Sequence, residues 1–544
     1  MKPPCDEAVI RSHIAAVPCR REHGPWVLVA TIVASSMAFI DSTVVNVALP
    51  ALQSSFGASV VGVQWVVESY GLTLAALILV GGSMGDLFGR RRMFLLGTAV
   101  FTLASIACGL ALNLTQLIVA RAIQGVGAAL LVPGSLALIS SSFGEQDRGR
   151  AIGTWSGSTA MTMAIGPVLG GWLIEHLSWR WAFFLNVPLA MVVIAVSFWC
   201  VPESSSRRHG GIDWRGALAA TVGLAGLVFG FIESTKLGWA HPLVMVSLAA
   251  GFAAAIVFRR VEVTADSPMV PLELFQSRAF SGANLITLFL YAALGIFFFL
   301  LPLNLIQVQG YSATDAGAAI LPLILLVFLL SRWSGGLVAR YGAQLPLMIG
   351  PVTVGLGFLL FALPSVGGSY WTTYFPAILV LGLGLAMSVA PLTTVVMQAV
   401  NQDQVGAASG INNAVARVAG LLAIAVLGVV IVAGFSRQLD RRLSTVTIAP
   451  DARAELQANT SKLAALKPPA GVEPATASAI ESSIFASFVF CFRLVMWLCA
   501  ALALLSAAIA WRMIPGPSPR QAERESGFAG SIGTRAPIES HRAP

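Results

Sequence analysis

The segment GSMGDLFGRR, residues 82–91, separates two apolar stretches and continues into a third arginine, Arg92. Each stretch is about 20 residues long, enough to span the hydrocarbon core of a bilayer as a helix. The glycines permit a tight turn, and a short basic connection is typical of the cytoplasmic face of a multi-pass membrane protein. The segment therefore predicts a membrane protein in which two helices meet at that face.

The composition predicts a chain surrounded mainly by lipid. Of 544 residues, 56% are hydrophobic and 11% are charged, whereas soluble domains carry about 25% charged residues. The net charge of +8 follows from basic loops at one membrane face rather than from a nucleic-acid-binding domain. The six cysteines form no C-x-x-C pair, so they predict no metal site.

Long apolar runs recur along nearly the whole chain and predict an all-α integral membrane protein with 14 transmembrane helices. Several alternate connections carry arginines, whereas the intervening loops 50–59, 112–113, 302–313 and 364–372 carry no Lys or Arg, so both termini are predicted to be cytoplasmic. The predicted spans are 26–49, 60–83, 93–112, 114–139, 149–173, 180–201, 215–233, 239–258, 280–301, 314–337, 345–363, 373–397, 406–434 and 490–511.

Two glycine patterns of the first half return in the second half in the same order. The segment 82–90 resembles 335–343, and GVG at 125–127 resembles GLG at 382–384. Two parallel repeats of six helices with a two-helix insert explain these offsets, and the substrate path of such a protein lies between the repeats. The predicted parts are a cytoplasmic tail (1–25), a six-helix bundle (26–201), the insert (202–260), a cytoplasmic linker (261–279), a second bundle (280–511) with a long extracytoplasmic loop (435–489), and a disordered cytoplasmic tail (512–544). The stretch 451–466 of that loop predicts a short surface helix.

Two glycine-containing segments are candidate moving parts. The first is the connection 82–91, in which the Asp86 side chain can pair with arginines or cap a helix, forming a latch at the cytoplasmic side; a plain basic loop is the alternative. The second lies in the fifth span, where small residues permit close packing and a proline bends the helix; packing alone is the alternative. The residues are Gly82, Asp86, Gly89, Arg90 and Arg91 in the first segment, and Gly166, Pro167, Gly170 and Gly171 in the second.

Three ionisable residues are predicted at one depth in the membrane. Asp41, Glu68 and Arg121 each lie about 10–12 Å from the outer surface at 1.5 Å per residue. Such groups are costly in lipid unless they are paired or hydrated, so a cluster of two acids and one arginine predicts a proton- or cation-exchanging site. A static, charge-satisfied clamp is the alternative. Glu233 lies near a helix end, where snorkelling satisfies it.

The second half offers a weaker candidate site, which consists of Asn412, Asn413 and Arg417. No lysine follows a glycine-rich loop, so ATP hydrolysis by a Walker A site is excluded, and an ion gradient or a separate partner must supply the energy. A membrane-embedded enzyme is disfavoured because the six histidines are scattered and no H-E-x-x-H motif occurs. A channel is disfavoured because no filter-like loop interrupts the spans.

Five segments together resemble the fourteen-helix drug:proton antiporter group of the major facilitator superfamily. They are DSTVVNVALP (41–50), GSMGDLFGRR (82–91), RAIQGVG (121–127), GPVLGG (166–171) and WRWAFFLNVP (179–188). The resemblance implies a major-facilitator fold and export of lipophilic or cationic small molecules from a bacterial inner membrane by proton antiport. It implies proton handling by Asp41, Glu68 and Arg121, no cofactor and no nucleotide, with a periplasmic adaptor protein as a candidate partner. A dedicated exporter of one endogenous metabolite, such as an antibiotic or siderophore, is the alternative.

Overall fold

The structure, a computed structural model, describes residues 24–143, 145–204, 213–265, 268–400 and 405–516. Within these ranges the chain forms helices and connections without a strand. Fourteen long helices are α1 Gly24–Phe56, α2 Val60–Phe88, α3 Arg90–Leu110, α4 Leu114–Ser142, α5 Glu145–His176, α6 Asn186–Cys200, α7 Trp214–Leu237, α8 Pro242–Thr264, α9 Arg278–Leu303, α10 Leu321–Tyr341, α11 Gln344–Phe361, α12 Phe375–Gln398, α13 Val405–Leu443 and α14 Pro474–Met513.

These helices confirm the predicted all-α membrane fold. Among the described residues, 13 helices are long and apolar enough to cross a membrane. The remaining long helix, α5, has 32 residues and packs along α1. Shorter helices adjoin the long ones: Trp181–Phe184 before α6, a π-helix Asn304–Val308 after α9, Ala313–Ala319 before α10 and Tyr370–Thr373 before α12.

The predicted repeat has matching packing in the two halves. Gly89 ends α2 with φ of 104° and Gly342 ends α10 with φ of 73°, a backbone region that glycine adopts without strain. In α4, Gly125 faces α2 and Gly127 faces α3, whereas in α12, Gly382 faces α10 and Gly384 faces α11. The glycines therefore allow the same close helix approach in the same order in each half.

Among the described residues, the buried core shared by the two halves lies toward one end of the bundle. We call the end that holds Gly89 the motif end, and the end that holds residues 444–473 the loop end. At the loop end, apolar side chains of α1 and α2 form one buried cluster with those of α9, α12 and α14. Toward the motif end, one cluster is built by α1–α4 and α6 and another by α9 and α11–α14. The halves are therefore joined mainly at the loop end.

The long loop is shorter and more buried than the sequence predicts. It covers 444–473 rather than 435–489, because α13 and α14 continue through polar residues that hydropathy does not score as helix. The predicted surface helix 451–466 is instead a helix, Pro450–Ala458, and a 3-10 helix, Thr460–Ala465. Leu463 of the second is fully buried, so that part packs one side against the bundle while most of the segment remains at the surface. The Gln53 amide donates to the Lys462 carbonyl at 3.0 Å, which ties the loop to α1.

The pair α7 and α8 packs beside the two halves. These two helices pack along each other, and α7 also contacts both α2 and α13. Apolar side chains of all three helices form a small cluster around Val61, Val228 and Ala425. The helix α7 therefore covers the line along which α2 of the first half meets α13 of the second half.

Candidate functional site

Asp41 and Arg121 form a buried ion pair inside the first half. The Nη1 group of Arg121 donates to Asp41 Oδ2, and both side chains are almost fully buried. The other carboxylate oxygen of Asp41 accepts from Gln124 Nε2 at 2.8 Å and from Asn186 Nδ2 at 3.4 Å. Ser105 Oγ accepts from the same two amides. Asp41 is therefore neutralised and hydrogen-bonded at both oxygens, as a buried charge requires.

Arg121 has further partners that fix its position. Its Nε donates to the Val66 carbonyl at 3.1 Å, and its Nη1 donates to Gln124 Oε1 at 2.7 Å. The guanidinium also lies over the Tyr70 ring, 4.2 Å from the ring centre, a favourable cation–π arrangement. Val66 and Tyr70 belong to one face of α2, so Arg121 clamps α4 to that face.

Glu68 does not join this cluster, which corrects the three-residue cluster predicted from the sequence. Residues 66 and 70 face α4, and residue 68 lies about 200° from residue 66 around the helix at 3.6 residues per turn. The membrane depth predicted for Glu68 takes no account of this rotation about the helix axis. The Glu68 side chain is fully buried, and neither carboxyl oxygen has a hydrogen-bond partner in the described part of the chain.

The face of α2 that carries Glu68 meets the second half. One turn before it, Gln64 Nε2 donates to the Ile424 carbonyl of α13 at 3.3 Å. Almost one turn after it, a Cβ placed on Gly71 would lie 2.7 Å from Leu421 Cδ2 of α13. Glu68 lies between these contacts on the same helix face, which we call the α2–α13 seam. The acid is therefore buried between the halves.

On its other side Glu68 is covered by the insert helix α7. Trp65 donates its indole N–H to Glu233 Oε1 at 2.8 Å, and Leu72 packs in the cluster shared with α7. Glu233 was expected to be satisfied by snorkelling at its helix end, and this bond was not predicted. The residue's position near the loop end of α7, level with the start of α2, was the available signal.

Glu203, which the sequence analysis did not single out, holds the connection 82–91. Its Oε1 accepts from the backbone N–H of Arg91 at 3.0 Å, and its Oε2 accepts from that of Arg92 at 3.2 Å. This carboxylate caps the first turn of α3, where backbone N–H groups lack helical partners. Gly89 itself has a φ of 104°, which favours glycine, and a Cβ there would also press on this carboxylate.

The other residues of the predicted latch lie in the same half in this conformation. Arg91 Nη2 donates to the Phe198 carbonyl of α6 at 2.9 Å, and its guanidinium lies over that ring. The Arg90 backbone N–H donates to the Ser204 carbonyl at 2.8 Å. Gly82 lies in α2 next to Pro133 of α4. The side chain of Asp86 is outside the described part of the structure.

The glycines of α5 meet both halves. Gly166 and Gly170 face Thr43 and Val44 of α1, where any Cβ would collide. Gly171 lies against the backbone of Ala313 in the second half, and the Pro167 carbonyl lies against Gly317. Next to them, Glu175 accepts from the backbone N–H and hydroxyl of Thr314. This segment is therefore part of the contact between the halves at the loop end.

The second-half candidates separate into different environments. Asn412 donates to Asn284 Oδ1 at 3.3 Å and Thr287 Oγ1 at 2.7 Å, which ties α13 to α9. Asn413 is exposed and donates to the Ser409 carbonyl at 3.0 Å. Arg417 is partly buried on the helix α13, in the neighbourhood of Tyr70. Asn412 is thus a packing residue, and the other two face open or shared space.

The protein is a helical membrane protein with two similarly packed halves. An acid is buried between the halves, and a buried ion pair lies beside it. These features define a secondary carrier as the class of protein. The sequence profile of the Major Facilitator Superfamily matches residues 31–424. The chain belongs to this superfamily, and it is a multi-pass membrane transporter of small molecules rather than an enzyme.

Known proteins with resistance functions are similar over most of the chain. The multidrug resistance protein Stp of Mycobacterium tuberculosis is 37% identical over 425 residues, covering 76% of this chain and 77% of that protein. The tetracenomycin C resistance and export protein of Streptomyces glaucescens is 30% identical over 508 residues, covering 92% and 94%. A bacterial homologue of the human lysosomal transporter Spinster, solved in an inward-facing, unoccupied conformation, shares the fold with a TM-score of 0.61 at 16% identity, covering 92% and 100%.

Proposed function

We propose that the protein exports small lipophilic or cationic compounds by proton antiport and alternating access. The similarity to multidrug and antibiotic resistance proteins supports export of toxic compounds. Proton coupling rests on one observation, the Glu68 carboxyl group, which is buried between the halves without a hydrogen bond among the described residues.

The burial of Glu68 fits its neutral form. An ionised carboxylate with no partner inside a lipid-embedded protein costs several kcal/mol. The seam closed around Glu68 is therefore compatible with a protonated side chain. A movement of α13 away from α2 would admit water, which stabilises the ionised form and lets the proton leave. Movement of the halves and proton transfer are linked in this way.

Asp41 and Arg121 hold the frame in which Glu68 works. The ion pair joins α1 to α4, and Arg121 contacts Val66 and Tyr70 on the rear face of α2. On this proposal Asp41 and Arg121 are positioning residues, and Glu68 is the group that exchanges protons. Removing either charge of the pair leaves the other buried without compensation, which destabilises the bundle.

The same proposal places the protein in a bacterial inner membrane with both termini in the cytoplasm and the loop end outside. The order of parts is six helices, the insert α7–α8 and six helices. The shared core at the loop end and the separate cores toward the motif end then correspond to a carrier closed to the outside. A periplasmic adaptor is a further partner to be tested by co-purification.

The central experiment measures dye uptake driven by a pH gradient into inside-out membrane vesicles, with and without an uncoupler. We expect Glu68→Gln to abolish uncoupler-sensitive uptake while expression and the unfolding transition stay unchanged. Glu455→Gln, on the exposed loop helix, is the matched control and should transport like wild type. Unchanged uptake by Glu68→Gln removes this residue from the mechanism.

A dedicated exporter of one endogenous metabolite is the second candidate. It is favoured by the similarity over almost the full length of a protein named for resistance to and export of a single compound. A susceptibility panel on a deletion strain separates the two, since broad sensitisation supports multidrug export and sensitisation to one compound supports the dedicated exporter.

A further inference from the structure

Arg417 lies in the row of α13 residues that faces the first half. Gly410 of this row is next to Leu79, since a Cβ there would lie 3.3 Å from Leu79 Cδ2. Ala414 packs on the apolar cluster of the first half. Farther along, Leu421 meets Gly71 and the Ile424 carbonyl accepts from Gln64. The row advances by three or four residues each time, so position 417 belongs to it.

Within the described part of the chain, no residue balances the charge of Arg417. Its side chain forms no hydrogen bond or ion pair with any other residue of the described ranges, and it is only partly exposed. The nearby aspartate, Asp41, is already paired with Arg121. Arg121 in turn lies over the Tyr70 ring, and Arg417 lies in the neighbourhood of the same tyrosine. Arg417 is thus a second cation beside a buried ion pair whose carboxylate is already engaged.

Glu68 is not a partner for Arg417 in this conformation. The contacts 64 with 424 and 71 with 421 show that α2 and α13 run antiparallel. The two contacts place residue 417 opposite residues 71 to 75 of α2, three to seven residues from Glu68, or about 5–10 Å along the helix axis. The acid and the arginine therefore face the same seam at different depths.

Resting on the proposed export function, we infer that Arg417 binds the cargo and selects compounds with an anionic or strongly hydrogen-bond-accepting group. A guanidinium kept unpaired inside a membrane protein is a candidate functional group. Its planar set of donors fits a carboxylate, an enolate or a phenolate. The apolar walls of the seam suit the rest of a lipophilic molecule. The preferred substrates are lipophilic organic acids, and permanent cations are disfavoured by repulsion.

The test compares three probes that share one fluorophore: pyrenebutyrate, pyrenebutanol and a pyrenebutyl-trimethylammonium salt. Uptake of each is followed in inside-out vesicles with an acidic interior. Passive partition of a weak acid runs against accumulation there, so accumulated pyrenebutyrate reports the transporter. We expect Arg417→Gln to lower pyrenebutyrate uptake at least tenfold and to change pyrenebutanol uptake by less than about twofold. Arg441→Gln, exposed at the end of the same helix, is the control and should match wild type.

Voltage gives a second readout. Exchange of one incoming proton for one outgoing monoanion moves two charges, whereas one-for-one exchange with a monocation moves none. Pyrenebutyrate uptake by wild type should therefore accelerate when a potassium diffusion potential, positive inside the vesicle, is imposed with valinomycin. A pyrenebutyrate uptake rate that does not change with this potential contradicts anion export.

The outcomes separate the inference from the function on which it rests. If wild type transports none of the probes in an uncoupler-sensitive manner, proton-coupled export itself fails. If it transports the ammonium salt but not pyrenebutyrate, export stands and the cargo role of Arg417 is overturned. Arg417→Gln could instead reduce uptake of all three probes equally, and the double exchange Glu68→Arg plus Arg417→Glu could restore it. This result would make Arg417 an ion-pair partner of Glu68 and would also overturn its cargo role.

A conservative change guards against misfolding. Arg417→Lys keeps the charge and removes the planar fork, so pyrenebutyrate uptake should fall less than in Arg417→Gln. Fluorescence titration of the purified wild-type protein should show tighter binding of pyrenebutyrate than of pyrenebutanol. Equal binding of the two probes overturns the inference even if neither variant folds.

Discussion

Replacing Asp41 by asparagine should lower the free energy of unfolding by about 3 kcal/mol. Breaking a buried ion pair by removing one partner costs about 3–5 kcal/mol. The lower end applies because Arg121 retains the Val66 carbonyl, Gln124 Oε1 and the Tyr70 ring. An uncompensated arginine deep in a membrane costs a similar amount, about 2.5–3.5 kcal/mol on insertion scales.

The coupling between the two charges gives a sharper test than the single change. Arg121→Gln should cost a similar amount because it leaves the Asp41 carboxylate unpaired. The double variant should cost less than the sum, by about 2–3 kcal/mol, since it buries no unpaired charge. Unfolding of the purified protein in mixed micelles with increasing dodecyl sulfate, followed by tryptophan fluorescence, measures all four proteins.

Glu68→Gln provides the contrast, because no hydrogen bond of that side chain is lost. Its unfolding should stay within about 1 kcal/mol of wild type, while its proton-driven transport disappears. Additive effects of Asp41→Asn and Arg121→Gln would refute the buried-pair assignment. A stable Asp41→Asn variant that has lost only proton coupling would refute the division of roles between the two acids.

Three further changes test contacts around the seam. Gly171→Val should disfavour the conformation closed at the loop end, because a Cβ there meets the backbone of Ala313; cysteine labelling from the loop side should become faster. Glu233→Gln weakens the charge-assisted hydrogen bond from Trp65, which is worth about 1.5–3 kcal/mol. Crosslinking between α7 and α2 should therefore fall, and protons should cross the membrane without transport of cargo. Leu463→Ala removes a fully buried side chain and should cost about 2–5 kcal/mol locally, so the loop 444–473 should be cut faster in limited proteolysis.

The helices and their order could be predicted from the sequence because each must bury its backbone polar groups within a lipid-spanning length. The turns at Gly89 and Gly342 could also be predicted, since both require a positive φ. The loop could not be bounded correctly, because the ends of α13 and α14 extend past the hydrocarbon and their polar residues carry no hydropathy signal. The burial of Leu463 depends on a groove formed by helices distant in sequence.

The site was predictable in part for a similar reason. Depth along a helix follows from counting residues, and it brought Asp41 and Arg121 together. Whether Glu68 joins these two residues depends on rotation about the helix axis. The sequence does not show which neighbour each face of α2 meets, and the contacts of Tyr70 and Gln64 do. The amides of Gln124 and Asn186 and the cap by Glu203 were missed because single polar residues in apolar runs are common. Their roles arise from tertiary contacts alone.

The separation of Glu68 and Arg417 along one seam explains how export and proton uptake can be obligatorily exchanged. On the proposed assignments, the seam closes over Glu68 only when the acid is protonated, and it closes over Arg417 only when an anionic group balances the guanidinium. A carrier without a proton and without cargo must bury an unbalanced charge whichever way the seam closes. This free-energy cost prevents it from changing conformation without a ligand. Direct pairing of the two residues would remove both penalties and let the empty carrier cycle. Their separation by about 5–10 Å along the antiparallel helices is therefore what makes cargo necessary for one transition and a proton necessary for the other.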